Sequence, residues 1–287
     1  MNISLPNAEV ATPVRNNCQT CIRSISYSEL TCYINCPLKY RFKYIDKIVP
    51  DKVSANIACG KSIHSALSFY YTQIRNKSKP KPEQVVDVFH QYYESAEAEG
   101  VNYNGQQKDE ICETAANLLK LYCDTIKPPK KIDGVDLELR TLISNPNTSE
   151  TLDGYELLGY IDLFADKTVF DFKTAKVSKS QADTDSNLQV GLYALAVYLS
   201  PQYAYIPKLT FQVLLKQVKP KIQEISTTRQ YSDFNRLFKI IKGFISNTEN
   251  QDNVYLPCQS FYCYGCEYAF WCQARCGGAL KKTDYYL

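Results

Sequence analysis

Two aspartates and a lysine are the residues of this chain whose types and spacing best suit chemistry. Asp171 and Lys173 stand one residue apart in the apolar run VFDFKTAK, and Asp162 precedes them in GYIDLFADK. Both runs alternate with the period of two expected of strands. A two-residue hairpin turn at Asp166-Lys167 would set Asp162 directly opposite Asp171, with Cβ atoms roughly 4.5–5.5 Å apart. Asp-Lys is not a favoured turn pair, but a four-residue loop preserves the same pairing. Lys173 then points to the same face as Asp171. Two carboxylates opposed among Leu, Ile, Val and Phe repel unless positive charge lies between them. Lys173 supplies one charge, and a divalent cation such as Mg²⁺, which takes carboxylate oxygens and keeps waters, would supply more. A lysine there can orient or activate a water and steady charge on a phosphate. An exposed ion pair on a half-wet strand explains a D-x-K alone; it does not explain the facing carboxylate.

Several elements must position these groups. Residues 1–25 are polar and irregular and are expected to form a loose arm. Helical spacing begins near Ser26 or Ser28, with Pro37 bending or dividing the first helix. Further helices are expected over 55–75, 82–99 and 108–127. The period then changes to two, giving strands at 135–144, 155–164 and 168–173. A helix over 186–199, strands at 208–216 and 221–226, and a helix over 232–246 follow. The fold class is α/β, with a helical N-terminal half and a Cys-rich, aromatic-rich closing segment over 257–277. We divide the chain into the arm and one domain over 26–287. That domain comprises a helical part (26–130), an α/β core (131–250) and a Cys-rich segment (251–287).

Composition excludes several classes. The chain has 287 residues, 33 basic against 30 acidic, and 45% hydrophobic content, which is ordinary for a soluble globular protein. Nucleic-acid binding would therefore need a local groove rather than a global charge. No apolar run is long enough to span a bilayer, and no signal-peptide layout opens the chain, so a cytoplasmic location is expected. Twelve cysteines in a reducing compartment point to metal rather than disulfides. The tetrapeptide CGKS (59–62) imitates the end of a phosphate-binding loop, but position 55 is Ala where that loop needs Gly, and the stretch reads as helix.

The order of motifs resembles the PD-(D/E)XK nuclease superfamily, in its RecB-type branch. The G-x-x-D of that branch matches Gly159 to Asp162, its D-x-K matches Asp171 to Lys173, and its Q-x-x-x-Y matches Gln189 to Tyr193. Spaced i,i+4, Gln189 and Tyr193 share one helix face. The family's upstream helical histidine matches His64, one of only two histidines. Glu138 stands where the family often carries an acid, with Glu156 competing for that part. Taken singly, Gln189 and Tyr193 suit a helix surface and His64 suits a core; order and spacing together carry the resemblance.

It implies a restriction-endonuclease-like core, a central mixed sheet flanked by helices. It also implies Mg²⁺ or Mn²⁺ held by Asp162, Asp171, the Phe172 backbone carbonyl and His64. Lys173 would act on the attacking water, and Gln189 and Tyr193 would orient the substrate or support Lys173. The iron–sulfur members draw one cysteine from a CP-x-x-Y helix and three from a C-terminal C-x2-C-x5-C. Cys36-Pro37 to Tyr40 and Cys263, Cys266 and Cys272 match these, so a 4Fe–4S cluster is implied, mainly as a structural staple. Zinc is the rival, with Cys18 and Cys21 joining Cys263 and Cys266, and with Cys258 and Cys276 nearby. Cys59, Cys112 and Cys123 suit a core.

The expected activity is metal-dependent DNA hydrolysis, acting as an exonuclease on single-stranded DNA or free ends. Relatives of this type include the CRISPR-associated nuclease Cas-four and AddB-type exonucleases. A CRISPR integrase, a helicase or a recombination protein would be the implied protein partners, with no membrane. A nuclease-fold subunit that only binds DNA or protein, and a zinc-stapled interaction protein, are the alternatives from other classes. Nothing in the motifs separates DNA from RNA.

Overall fold

A computed structural model describes residues 22–50, 52–250, 252–258, 263 and 266–276. The chain begins as strand β1 (Arg23–Ser26) and passes straight into helix α1 (Tyr27–Asn35), whose N-cap Ser26 accepts from Glu29 N–H. Pro37 cannot donate to the preceding turn, and the helix divides there. Cys36 closes α1 and opens α2 (Pro37–Tyr40), its thiol sulfur accepting from Lys39 N–H at 3.4 Å. One turn of π-helix follows (Arg41–Ile45).

The short parallel pair β2 (Val53–Ser54) and β3 (Val101–Asn102) brackets the helices α3 (Ala55–Arg75) and α4 (Pro82–Gly100). Helix α5 (Lys108–Thr125) completes that layer. The CGKS tetrapeptide lies inside α3. Then come β4 (Ile132–Ser144), β5 (Thr151–Ala165) and β6 (Thr168–Ala175). Helices α6 (Gln181–Asp185) and α7 (Leu188–Leu199) lead to β7 (Lys208–Leu215) and β8 (Lys221–Thr227). Helices α8 (Tyr231–Glu249) and α9 (Ala269–Cys276) close the described chain.

The main sheet has six strands in the order β1-β5-β6-β7-β8, with β4 also paired to β5. It is mixed: β1–β5 and β6–β7 are parallel, and the other pairs are antiparallel. Helices α3 to α5 cover one face around Tyr71, Phe89, Leu118 and Phe172. Helices α7 and α8 cover the other around Leu195, Phe211, Phe234 and Ile241. A central mixed sheet between helical layers is the expected restriction-endonuclease-like arrangement.

One topological detail positions the chemistry. Residues 155–158 of β5 pair with β1, and residues 163–165 pair with β6. Both partners lie on the edge of β5 away from β4, end to end. Residues 159–162, the G-x-x-D stretch, face the gap between them. The sheet is split where its carboxylate stands.

Two departures from the sequence expectations stand beside one agreement at the hairpin turn. Residues 23–25 belong to β1 rather than to an arm, because their ladder partners lie about 130 residues away in β5. The helix expected from 186 starts at Leu188, after a separate short α6. Asp166-Lys167 does form a two-residue turn, with φ of 47° and 58°, the doubly left-handed form suited to hairpins. The Asp166 carboxylate offsets the poor turn propensity by accepting Lys130 N–H at 2.9 Å and Lys131 N–H at 3.1 Å.

Candidate active site

Alternation along β6 decides which way the acid and the lysine face. Phe172 points into the α3–α5 layer, stacked on Tyr71 with ring centroids 5.8 Å apart, and is 1% exposed. Burying such a ring is worth about 1.5–3 kcal/mol. A one-residue slip would put that ring where Asp171 lies, so the register is fixed, and Asp171 and Lys173 go to the opposite face. On that side α7 lays Tyr193 against the sheet: a Cβ at Gly159 would stand 3.4 Å from the Tyr193 ring.

The hairpin register, Leu163 with Phe170 and Phe164 with Val169, places Asp162 across from Asp171 when continued by one pair. The backbone ladder stops short of that pair. Asp162 Oδ2 instead accepts Phe172 N–H at 2.7 Å, and its Oδ1 lies 3.3 Å from His64 Nδ1. Helix α3 thus delivers His64 to Asp162, crossing β6 where Gly60 approaches Thr174.

Asp171 is fully buried, with Lys173 Nζ 2.6 Å from its Oδ2. Among the described residues Lys173 is the one cation touching Asp171, and Asp171 Oδ1 has no hydrogen-bond partner. An ion pair alone would lower the acid and raise the base. Here both go up. Burial pushes the Asp171 carboxyl up against the pull of Lys173, with the Asp162 charge adding to the rise. Burial works to lower the Lys173 ammonium, but the charge of Asp171 outweighs it. One lysine therefore under-compensates the buried negative charge. His64 follows the same logic: burial lowers it, and the hydrogen bond and charge of Asp162 hold it above its ordinary value.

Gln189 and Tyr193 pair on α7, Gln189 Nε2 donating to Tyr193 Oη at 2.8 Å. The Tyr193 ring is 5% exposed rather than on a surface, and burial and the Asp171 charge push its hydroxyl far up. Asn187 caps α7 by accepting from Gln189 and Val190 N–H, and Arg229 donates to the Asn187 carbonyl at 2.9 Å.

Glu138 is not brought to the acidic pair. It lies opposite Tyr160 on β4, and Arg140 Nε engages its carboxylate at 2.6 Å, lowering it. Glu156 is likewise taken, by Ser24 and by Arg140. Two residues that bear on the elements of the site escaped the sequence reading. Tyr27, in the first turn of α1, bears electrostatically on Lys173 and Tyr193. Arg229, 7% exposed, ties the start of α7 in place. Only the tertiary fold brings them there, although the apolar context of α7 marks that helix as central.

Among the described residues no three His, Cys, Asp or Glu side chains converge as a metal cage. Mg²⁺ seldom uses one; it binds through one or two carboxylates and keeps its waters. The unsatisfied Oδ1 of Asp171 beside Asp162 fits a divalent cation by charge and donor type.

A second group of potential ligands gathers at another corner. A cavity of about 260 Å³ is lined by Cys32, Cys36, Cys258, Cys263 and Cys266 together with Lys39. Cys36, Cys266 and Cys272 pack beside Leu38, Phe42 and Tyr268. Helix α2 and the segment before α9 meet here, with Lys39 Nζ 2.9 Å from Glu267 Oε2. Burial pushes the Cys32 thiol up to about 11 and raises Cys266. The donor set and cavity fit a thiolate-held group, although the sulfurs do not converge on one point. Cys18 and Cys21 lie outside the described residues, and the side chain of Cys276 is likewise undescribed. Cys59 and Cys123 are buried in the α3–α5 layer, and Cys112 packs against it.

No helix among the described residues is long and apolar enough to cross a membrane. A cavity of about 610 Å³ is lined by Arg229, Thr228 and Ser232 among others, and by neither Asp162 nor Asp171.

Comparison with known proteins supports the same assignment. No curated protein matches this chain. Among solved structures, one from Eubacterium rectale described as a candidate exonuclease superposes with a TM-score of 0.54 at 12% identity. The alignment covers 84% of this chain and 86% of that one, a likeness of fold. A profile of the PD-(D/E)XK nuclease superfamily matches residues 24–273, a span that takes in β1 from its second residue, the carboxylate hairpin and the Cys36–Cys272 corner. The chain belongs to the PD-(D/E)XK nuclease superfamily.

Proposed function

We propose that this chain is a Mg²⁺- or Mn²⁺-dependent deoxyribonuclease of the RecB-type branch, acting as an exonuclease on single-stranded DNA or DNA ends. The observation that carries the reading is the buried Asp171 carboxylate, short of positive charge, across from Asp162 and touching Lys173. Asp162, Asp171 and the Phe172 carbonyl, with His64 beside Asp162, are the groups that would hold the cation. A cation there supplies Lewis-acid charge to a phosphodiester.

The chain's own groups do the rest. Lys173, kept protonated by Asp171, orients the attacking water and steadies charge developing on the phosphate. His64 and the Phe172 N–H fix the rotation of Asp162 through its two oxygens. Gln189 and Tyr193 form the wall beside the pair and orient the substrate strand. A 4Fe–4S cluster on Cys36, Cys263, Cys266 and Cys272 is proposed as a structural tie between the two ends of the domain, a staple rather than the catalyst.

The test uses anaerobically purified protein on end-labelled single- and double-stranded DNA, with Mn²⁺ or with chelator, beside Asp171→Ala. Metal-dependent cutting that the variant loses supports the reading, and the product ladder distinguishes attack at ends from internal cutting. Intact DNA after incubation with wild-type protein and Mn²⁺ would sink it.

A further inference from the structure

Three segments meet at the end of the sheet where β6 and β7 finish, and none of them contains an acid. Residues 52–62, 173–182 and 215–223 carry no Asp or Glu, in a chain whose totals are nearly balanced at 33 basic and 30 acidic. The same segments supply Lys52, Lys61, Lys176, Lys179, Lys216, Lys219 and Lys221 in addition to Lys173. Because β6 and β7 are parallel and in register from Thr168–Lys208 to Ala175–Leu215, their C-terminal ends lie side by side.

Hydrogen bonds hold the segments together. Lys216 N–H donates to Ala175 O at 2.7 Å, and Gln217 Nε2 donates to Lys176 O at 3.2 Å. Gln223 clasps Lys179 at both of its backbone groups, at 2.9 and 2.8 Å. Lys216 Nζ reaches Asn56 Oδ1 at 3.0 Å, tying in the start of α3. Of the acids that flank these segments, Asp183 accepts from Ser180 and Glu224 from Gln212, while Asp51 lies outside the described residues. Lys61, Lys176, Lys219 and Lys221 are exposed, with no carboxylate partner among the described ion pairs.

We infer that this lysine rim is a track for a nucleic-acid backbone leading away from the Asp162–Asp171–Lys173 site, an inference that rests on the nuclease reading of that site. Lys176 follows Asp171 by five residues, about 17 Å along an extended strand, or roughly five nucleotide rises of 3.4 Å. Lys219 and Lys221 continue the positive surface across the β7–β8 turn. Ammonium groups without carboxylate partners bind phosphate by releasing counterions and carry no base readout, so the track would serve any sequence. An acidic protein is the competing occupant. Continuity of the rim with the Lys173 strand favours the nucleic acid, since a strand lying in the site must leave it over some neighbouring surface.

The test compares the wild type with a triple variant, Lys176→Gln, Lys219→Gln and Lys221→Gln. A matched control carries Lys77→Gln, Lys79→Gln and Lys81→Gln, at the far end of α3. Binding of a short fluorescein-labelled single strand is followed by anisotropy in chelator across a salt series, and cutting is measured in Mn²⁺. Loss of three phosphate contacts lowers the salt slope by about 2 and weakens binding roughly tenfold to a hundredfold at 0.1 M salt. The control should follow the wild type, and thermal melts of all three proteins should coincide. Unchanged affinity and slope in the triple variant, with the wild type binding and cutting, would overturn the track alone and leave the rim to an acidic protein. A wild type that binds without cutting, with binding lost in the variant, keeps the track and removes the catalytic reading. A wild type that neither binds nor cuts removes both.

Discussion

Replacing Asp171 by Asn should abolish cutting and, in chelator, make the protein more stable. The carboxylate is fully buried, leaves Oδ1 without a hydrogen-bond partner, and has one charge contact, Lys173 Nζ at 2.6 Å from Oδ2. Desolvating an ion costs several kcal/mol, and a single contact repays part of it. Removing one member of a buried pair usually costs about 3–5 kcal/mol, because the abandoned partner stays buried. Here the Lys173 side chain is 32% exposed and can be hydrated, so that penalty shrinks. The Asn amide still needs partners, which sets the net gain near the low end of the roughly 1–4 kcal/mol found for neutral replacements. A gain of about 1–2 kcal/mol raises Tm by roughly 2–8 °C. The sign with pH follows from burial, which pushes the Asp171 carboxyl up to about 6. Below the ordinary carboxylate value both folded and unfolded chains are protonated and the cost vanishes. Above about pH 6 the folded chain bears the full cost. Melts in chelator at pH 8 and pH 4 should therefore show a gap between variant and wild type that closes in acid. Added Mn²⁺ should raise the wild-type melt, by about 2.7 kcal/mol at a hundred times Kd, and leave the variant unmoved. A variant that melts below wild type at pH 8 in chelator would refute the reasoning, because the carboxylate would then be stabilised by the metal-free fold.

Lys173→Gln should remove most cutting while retaining the Mn²⁺-induced rise in Tm, separating the water-positioning role from cation binding; loss of both would merge them. Glu138→Gln should leave the cleavage rate within about twofold, since the carboxylate is exposed and engaged by Arg140; a rate collapse would return Glu138 to the site. Tyr122→Phe breaks the buried chain that runs from Tyr71 through Tyr122 and Gln212 to Glu224. It should cost about 1–3 kcal/mol by chemical denaturation, and an unchanged midpoint would show the chain to be dispensable. Cys36→Ser should bleach the charge-transfer absorption of anaerobic protein and lower its melting temperature; colourless, zinc-containing wild-type protein would instead favour a zinc staple.

How much was legible in the residues depended on whether the deciding partner was near in sequence. The hairpin was legible because Asp162 and Asp171 are joined by a two-residue turn, so alternation alone set them opposite each other. Helix α3 was legible end to end from its apolar spacing, from 55 to 75. The pairing of Glu138 with Arg140 could have been read, since residues i and i+2 of a strand share a face. Strand β1 could not: four residues carry no useful period, and β5 holds them from 132 residues away, as in Arg23 with Tyr155. Yet β1 ends the ladder that leaves Gly159 to Asp162 at a gap, so the most consequential feature of the site came from its least legible element. The same distance argument links the cysteines to the carboxylates. Helix α1 begins at Tyr27, which bears on Lys173, and ends at Cys36, about 13 Å on. A ligand at Cys36 would therefore sit at one end of a short helix whose other end bears electrostatically on Lys173.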